Sequence, residues 1–253
     1  MYFDSHAHLN DPKFDDDRET VIADLAAHGV TNVMNVGCCL ASSRDCVAMA
    51  KKYPMIVASV GTHPQDAKEV DDAVLDAYRE MAKEKKVLAI GEIGLDYYYG
   101  GDDKEVQREA FERQLQLAQE LDLPVIIHSR NANGETMDIL RNFPRVTGTL
   151  HCYAGSPELA KLYVKMGWYI GFTGVVTFKN ARRAVETAMV VPLDRMLIET
   201  DCPFMAPEPH RGTRNDSRYV PLVAAKLAEL RGLTPEEMGR ITSDNAKRLF
   251  RMD

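Results

Sequence analysis

The chain alternates short apolar runs of strand length with amphipathic stretches of helix length, and this alternation limits its fold more than any other feature. Eight strand-like runs recur at a spacing of roughly thirty residues, and a helical stretch follows each of them. Eight such α/β units within 253 residues predict a (β/α)8, or TIM, barrel. The strand-like runs cover residues 2–5, 32–36, 55–60, 87–90, 124–127, 146–150, 168–172 and 195–198.

The helical stretches carry start and stop signals of the usual kinds. Residues 18–28 end at Gly29, residues 42–53 begin with Ser42 as a cap, and residues 234–240 open with Thr-Pro-Glu-Glu. The other predicted helices cover residues 70–85, 105–121, 134–141, 157–166, 181–187, 220–231 and 243–251.

An open, doubly wound sheet is the competing α/β architecture. Such sheets usually have fewer strands and carry a glycine-rich nucleotide-binding turn after the first strand. Here the first strand ends in His6-Ala7-His8 instead. The chain contains no linker-like or low-complexity stretch, so we expect a single barrel domain over residues 1–253.

Charge and cysteine content exclude several classes of function. The formal net charge of −7 argues against sequence-independent coating of duplex nucleic acid, although it leaves room for a local anion site. The five cysteines include no C-x-x-C pair and are typical of reduced thiols. No long apolar run is present and the first residues do not resemble a signal peptide. We therefore expect a cytoplasmic protein that needs neither a membrane nor an obligate protein partner.

The first strand carries two histidines that point to the same side. In an extended backbone, alternate side chains share a face, so His6, His8 and Asp4 are predicted to lie together. Two neutral imidazoles that converge in this way are a ready pair of metal ligands. Taken alone, the pair is equally consistent with a solvated or buried histidine pair at a strand end.

The other strands also end in residues that suit a metal centre. In a (β/α)8 barrel the active site forms at the carboxyl ends of the strands, and five of the seven histidines fall there. This arrangement predicts two metal sites that share a bridging carboxylate, each with an open position. The predicted ligands of the first ion are His6, His8 and Asp201. Those of the second ion are His128 and His151, and Glu92 is predicted to bridge the two ions.

Seven motifs, spread over nearly the whole chain, together resemble one family. They are F-D-S-H-A-H-L, V-G-T-H-P, A-I-G-E-I-G-L-D-Y-Y, V-I-I-H-S-R, H-C-Y, L-I-E-T-D-C-P-F and A-P-E-P-H-R-G-T-R-N. The sequence resembles the TatD-type metal-dependent hydrolases, the TatD deoxyribonuclease family of amidohydrolase-like barrels. The resemblance implies the same six metal ligands and places further residues in the site, namely His63, Arg211, Arg214 and Asn215.

One departure from the family pattern is visible after Asn215. Relatives often carry proline in this stretch, whereas this chain has Asp216-Ser217-Arg218. The departure concerns substrate contacts and leaves the predicted metal ligands untouched.

We assign three catalytic residues to the predicted site. Asp201 is the expected general base that removes a proton from a metal-activated water, and Glu92 is the expected bridge between the ions. His63 either bonds the phosphate or water, or is a structural turn residue before Pro64. The metals are expected to be two divalent ions, with Mg, Mn and Zn as the candidates.

Arginines and tyrosines near the predicted site are candidates for substrate contacts. Guanidinium groups suit phosphate oxygens, and Arg211 and Arg214 stand in the loop after the eighth strand. Arg130, close behind His128, either contacts phosphate or forms a salt bridge at the rim. The tyrosines at 97–99 either stack an unpaired base or pack the barrel mouth.

Three functions remain open, and the resemblance ranks them. The leading expectation is hydrolysis of phosphodiester bonds in DNA by an exonuclease that acts on single strands or chain ends. The second is hydrolysis of an amide, ester or lactone in a small anionic substrate. The third, a metal-binding scaffold without turnover, is disfavoured because all six ligands are present.

Overall fold

The computed structural model describes residues 1–98 and 104–252. Its eight strands form one sheet in the order β1 to β8, and the described strand pairs are parallel. This topology, with helices between the strands, is the (β/α)8 fold that the alternation in the sequence predicts. The strands are β1 Tyr2–Ala7, β2 Val30–Val36, β3 Ile56–Val60, β4 Val87–Asp96, β5 Val125–Arg130, β6 Gly148–Leu150, β7 Tyr169–Phe172 and β8 Met196–Ile198.

The fold divides into two compact units. The first joins Met1–Asn35 to the C-terminal part of the chain from Cys152 onward, and it contains β1, β7, β8 and most of β2. Buried residues such as Phe3, Ile170 and Leu197 fill its core. Its helices are α1 Arg18–Asp24, α6 Pro157–Lys165, α7 Arg182–Val190, α8 Val220–Arg231 and α9 Pro235–Leu249.

The first and last strands meet within this first unit. The Asp201 N–H donates to the His6 carbonyl at 2.8 Å, and the His8 N–H donates to the Cys202 carbonyl at 2.9 Å. An isolated parallel bridge pairs Ala7 with Cys202. We call this contact between β1 and β8 the closing seam, because it links the two ends of the strand order.

The second unit is the continuous segment Val36–His151, which contains strands β3 to β6. Every described residue of β4 except Leu88 is buried, as expected for a strand covered on both faces. Strand β4 pairs with β5 in a register that places Gly94 beside His128 and Asp96 beside Arg130. The helices of this unit are α2 Leu40–Lys52, α3 Asp72–Met81, α4 Lys104–Leu121 and α5 Asn133–Arg141.

Two helix predictions are wrong in detail. Helix α2 begins at Leu40 with Cys39 as its N-cap, and Ser42 is the third helical residue, whose hydroxyl oxygen accepts from the Cys39 N–H at 3.0 Å. The segments 234–240 and 243–251, which are predicted as two helices, lie mostly within one helix, α9. The Thr242 hydroxyl donates to the Met238 carbonyl at 2.8 Å, so this β-branched residue fits inside the helix.

The remaining predictions concern helix ends, cysteines, membrane-spanning helices, domain number and location. Gly29 ends the first helical segment in a left-handed conformation with φ of 74°, and Thr234 forms the expected capping box with Glu237. In the described part of the chain no disulfide is present, and reduced thiols stay a prediction. None of the helices described is both long and apolar enough to cross a membrane. The single domain and the cytoplasmic location stay predictions.

Candidate metal centre

The first candidate cluster lies at the closing seam and consists of His6, His8 and Asp201. The Nε2 atoms of the two histidines are 3.1 Å apart. The Oδ1 atom of Asp201 lies 3.7 Å from His6 Nε2 and 3.5 Å from His8 Nε2. All three residues are buried. The structure therefore brings together the three ligands that the sequence predicts for the first ion.

The backbone at the end of β8 sets the direction of the Asp201 side chain. Asp201 has φ of +54°, in the left-handed region that aspartate tolerates better than most residues. The hydrogen bond from its N–H to the His6 carbonyl fixes this turn against β1. A local strain of this kind persists only where neighbouring contacts hold it, and it is common at functional sites.

Asp4 is a buried carboxylate that hydrogen-bonds to residues next to this cluster. Its Oδ1 accepts from the Thr200 N–H at 2.9 Å and from the His6 N–H at 3.3 Å, and its Oδ2 accepts from the Thr200 hydroxyl at 2.6 Å. Burial raises the pKa of Asp4 to about 6, although these hydrogen bonds act in the opposite direction. Asp4 thus ties β1 to the residue that precedes Asp201.

The donor set of this cluster fits a divalent metal ion. Imidazole nitrogen and carboxylate oxygen are common ligands for zinc and similar ions. Two ligands on a tetrahedral ion, each at roughly 2.1 Å, lie about 3.4 Å apart. The three observed separations, 3.1, 3.5 and 3.7 Å, span that value.

The second candidate cluster lies at the carboxyl ends of β4, β5 and β6 and consists of Glu92, His128 and His151. Glu92 Oε1 is 2.7 Å from His128 Nδ1 and 2.7 Å from His151 Nε2. The two ring nitrogens are 3.2 Å apart. The three residues supply one carboxylate and two imidazoles, a donor set that fits a second divalent ion.

His63 belongs to this second cluster. Its Nε2 is 3.8 Å from Glu92 Oε1, and its ring meets that of His128 edge to face at 4.4 Å. Its Nδ1 accepts from the Gln65 N–H at 3.2 Å, so the turn-residue interpretation also describes part of its environment. Burial lowers the pKa of His63 to about 4, despite the opposing effect of the Glu92 carboxylate.

Asp96 also lies in this cluster, although no role is predicted for it from the sequence. Its Oδ2 lies 3.3 Å from His128 Nε2, the ring nitrogen opposite the one that faces Glu92. Burial lowers the pKa of His128, but its hydrogen bonds with Asp96 and Glu92 outweigh burial and raise that pKa to about 9. Period-two alternation along β4 places Glu92, Gly94 and Asp96 on one face, and this signal could have identified Asp96.

Two buried glutamines on α4 hold the backbone beside this cluster. The Asp96 N–H donates to Gln107 Oε1 at 2.9 Å, and Gln107 Nε2 donates back to the Asp96 carbonyl at 3.0 Å. Gln114 makes the same paired contact with Thr62, next to His63, at 2.7 and 3.1 Å. The two glutamines are seven residues apart, so they share one face of the helix.

The glycines that flank Glu92 allow neighbouring strands to approach closely. A Cβ atom on Gly91 would lie 2.6 Å from the Ile126 side chain, and one on Gly94 would lie 2.0 Å from the His128 carbonyl oxygen. Gly94 also has φ of +142°. These positions exclude side chains for steric reasons, and Glu92 itself is buried, so it is not an ordinary surface carboxylate.

Glu199 is a further buried carboxylate in the first unit. Its Oε2 accepts from the Ser5 hydroxyl at 3.2 Å, and its Oε1 accepts from the Cys152 N–H. Gly171 faces it, because a Cβ there would lie 2.5 Å from Glu199 Oε2. Glu199 therefore connects β1 to the turn at Cys152.

The predicted substrate-binding residues occupy different environments. Arg214 donates to both carboxylate oxygens of Asp17, at 2.8 and 2.6 Å. The Asn215 amide is buried and donates to the Thr200 and Phe204 carbonyls at 2.9 and 2.6 Å. Arg130 stacks on the Tyr98 ring at 3.7 Å, and Arg211 is exposed. Substrate contact by these four residues stays a prediction.

The tyrosine run that follows β4 is only partly described. The Tyr97 hydroxyl donates to Glu135 Oε2 at 2.9 Å, which is a packing role, and Tyr98 is 55% exposed. Tyr99 lies outside the described residues.

A (β/α)8 fold with histidines and carboxylates clustered at strand ends is typical of metal-dependent hydrolases. Comparison with known proteins gives the family: the sequence profile described as TatD related DNase matches residues 3–251. The chain belongs to this family of metal-dependent hydrolases.

Three relatives illustrate the similarity. A protein of Bacillus subtilis (strain 168), named as an uncharacterised metal-dependent hydrolase, is 44% identical over 255 residues, and the match covers 100% of each chain. A 3'-5' ssDNA/RNA exonuclease TatD of Cronobacter sakazakii is 35% identical and is matched over 97% of its length and 98% of this chain. The crystal structure of a TatD homologue from Escherichia coli K12 superimposes with a TM-score of 0.93 at 30% identity, covering 100% of this chain and 98% of that one.

Proposed function

We propose that this protein is a deoxyribonuclease that hydrolyses phosphodiester bonds at single-stranded ends of DNA with two divalent metal ions. The observation that carries the proposal is the presence of two clusters of imidazole and carboxylate ligands in a member of the TatD family. The relative from Cronobacter sakazakii, named as an exonuclease on ssDNA and RNA, supports a nucleic-acid substrate. An exonuclease that starts at a chain end is the form of the activity that we propose.

One ion would bind His6, His8 and Asp201, and the other would bind Glu92, His128 and His151. A divalent ion at such a site makes water more acidic and neutralises charge on a phosphoryl group. Mg, Mn and Zn are the candidates. The bridging role of Glu92 stays a prediction.

The side chains of the two clusters would move and hold protons. Asp201 would accept the proton of the attacking water, since it supplies a carboxylate oxygen that faces the two imidazoles of β1. His63 would be neutral near pH 7, because burial lowers its pKa to about 4, so it can either donate or accept one hydrogen bond at a substrate oxygen. Asp96 would hold the orientation of the His128 ring.

The proposal is tested with metal-stripped protein to which Mg, Mn or Zn is restored in separate reactions. Each sample receives end-labelled single-stranded DNA and a panel of carboxylic esters, amides and lactones. We expect shortening of the DNA with at least one metal and little turnover of the panel. Turnover of an ester, amide or lactone without loss of DNA would replace the nuclease by the second function expected from the sequence.

An Asp201→Asn variant tests the general base. It keeps an oxygen that can face a metal but lacks the proton-accepting carboxylate, so kcat is expected to fall by about 100-fold or more. Asp16→Asn changes an exposed aspartate and is the matched control. The metal content of both variants is measured in parallel, because equal content separates a lost base from a lost ligand. Full activity of Asp201→Asn would remove Asp201 from that role.

A further inference from the structure

A pocket of about 290 Å³ lies in the first unit, where the chain leaves β7. We call it the β7 pocket. Its volume is at the lower end of the roughly 300–1,000 Å³ range of small-molecule sites, so it suits one planar ring system. Among the residues that line it are Tyr153, Phe172, Val176, Arg183, Ala184 and Met205.

The walls of the β7 pocket are fixed by contacts between neighbouring loops. A Cβ on Gly174 would lie 2.2 Å from the Met205 carbonyl oxygen, so the loops after β7 and β8 touch through their backbones. The Thr177 hydroxyl donates to the Gly174 carbonyl at 2.6 Å and accepts from the Glu208 N–H at 2.8 Å. The pocket is therefore held open by backbone contacts and does not depend on a ligand to form.

Arg183 is the one charged side chain among the described residues that line the β7 pocket, and it is cationic although the protein as a whole is acidic. The segment 178–183 reads Phe-Lys-Asn-Ala-Arg-Arg and contains three cations and no acid. Arg182 pairs with Glu186 at 2.7 Å, whereas Arg183 lines the pocket and donates to the Ala154 carbonyl at 3.4 Å. Lys179 is exposed beside it. These charges favour a ligand that carries phosphate.

Two further cations stack on aromatic rings of the neighbouring loops, and some of the side chains there are exposed. Arg211 stacks on the Phe178 ring at 4.2 Å, and Lys13 lies 4.6 Å from the centroid of Phe204. Phe204 is 47% exposed and Met205 is 41% exposed. Single-stranded nucleic acids bind surfaces that combine cations with stacking side chains in this way.

We propose that the β7 pocket binds one unpaired nucleobase of the substrate strand, with Arg183 on an adjacent phosphate. The inference rests on the proposed nuclease function and adds a site for the base. Most of the lining residues are apolar or aromatic and suit the faces of a ring, and Thr173 and Asn180 add a hydroxyl and an amide that can bond its polar edge. A base inside a duplex is paired and stacked, so the pocket selects single strands and frayed ends.

The first test fills the pocket. Ala184 lines it from α7, and Ala184→Phe places a ring inside. Affinity for a short, fluorescently labelled single-stranded oligonucleotide is measured by anisotropy in a chelator, so that hydrolysis does not interfere. We expect the Kd to rise by roughly 5- to 150-fold, the range for loss of one stacked base. Ala48→Phe, at an exposed position of helix α2, is the matched control and should bind as wild type does.

The second test uses two neighbouring arginines. Arg183→Ala is expected to weaken binding by about fivefold or more and to reduce the dependence of the Kd on salt. Arg182→Ala removes the same charge from a side chain that pairs with Glu186 and does not line the pocket. The proposal requires the first variant to weaken binding more than the second.

An oligonucleotide with one abasic position completes a cycle with Ala184→Phe. Loss of the base should weaken binding to wild type and should have little further effect on Ala184→Phe, because both changes remove the same contact. The metal content of Ala184→Phe after reconstitution is the independent measure of the metal centre and should equal that of wild type.

The two proposals fail in different ways. If wild type degrades DNA while Ala184→Phe and Arg183→Ala bind single strands as tightly as their controls, the base site is refuted and the nuclease stands. If the variants weaken binding but no metal restores hydrolysis of DNA, the base site stands and the nuclease is refuted. If wild type does not bind single strands at all, the base site is refuted.

Discussion

Replacement of Asp4 by asparagine tests how strongly the closing seam perturbs its buried carboxylate. Asp4 is 0% exposed, and burial raises its pKa from 3.8 to about 6. Asparagine keeps the shape, and its Oδ1 can still accept from the Thr200 and His6 N–H groups, which both bond Oδ1 in the wild type. The variant therefore removes the titration and retains most of the contacts.

The sign and size of the effect follow from proton binding. Because the pKa of Asp4 is higher in the folded state, the folded protein holds more protons at this carboxylate than the unfolded chain does between pH 3.8 and about 6. The contribution of Asp4 to the unfolding free energy therefore decreases as pH rises through this window. The interval is about two pH units at about 1.36 kcal/mol each, which gives ~3 kcal/mol. The stabilisation is complete below the window and lost above it.

Urea unfolding in a chelator, at a series of pH values, measures this effect. The difference in unfolding free energy between wild type and Asp4→Asn cancels the titration of all other groups. This difference is expected to fall by ~3 kcal/mol as pH rises through the window, so Asp4→Asn gains stability relative to wild type toward neutral pH. Asp16→Asn is the exposed control and should follow the wild-type profile. A difference that stays flat from acid to neutral pH would refute the reasoning.

Removal of metal is expected to lower the melting temperature as well as to abolish hydrolysis, because an ion at 100 times its Kd stabilises the folded state by about 2.7 kcal/mol. Calorimetry with and without chelator measures this effect. An unchanged melting temperature would contradict it. Gly171→Ala is expected to lower the unfolding free energy by roughly 1–3 kcal/mol, because its Cβ would lie 2.5 Å from the Glu199 carboxylate. At Gly167 a Cβ would meet no atom within 4 Å, so Gly167→Ala measures the cost of a positive φ without a clash and serves as a comparison. Arg214→Ala and Asp17→Ala should each cost roughly 1 kcal/mol or less of stability, since their ion pair is partly exposed. If Arg214 also binds substrate, only Arg214→Ala raises KM; an equal KM in both variants assigns it to the fold.

The sequence predicts the fold well because the hydrophobic alternation is regular. Eight apolar runs coincide with the eight strands to within a few residues at most ends, and the largest difference is β4, which continues to Asp96. Beyond Ile90 the apolar residues alternate singly with glycines and carboxylates, so no continuous apolar run marks the rest of the strand. The start of α2 differs by two residues because Cys39 is a rare N-cap, and sequence rules favour the nearby Ser42.

The two ligand clusters could be predicted from the residue types at the strand ends, whereas the contacts that hold these residues in place could not. Period-two spacing is enough to bring His6 and His8 to one side. The left-handed conformation of Asp201 depends on a hydrogen bond to a strand almost two hundred residues away, which no local pattern reveals. The same is true of Arg214, whose partner Asp17 is near the other end of the chain. A guanidinium in an irregular loop gives no sign of such a partner.

The closing seam also determines when the first metal site can exist. Asp4 and Thr200, which join its two strands, are 196 positions apart, and a ribosome adding about 5–20 residues per second needs roughly 10–40 s to cover that distance. During this time His6 and His8 have been synthesised but lack Asp201, whereas the second cluster lies within one continuous segment, Val36–His151, and has all of its ligands earlier. If the first cluster binds an ion, as proposed, it can do so with all three ligands only late in biosynthesis, after the chain has been translated past its eighth strand.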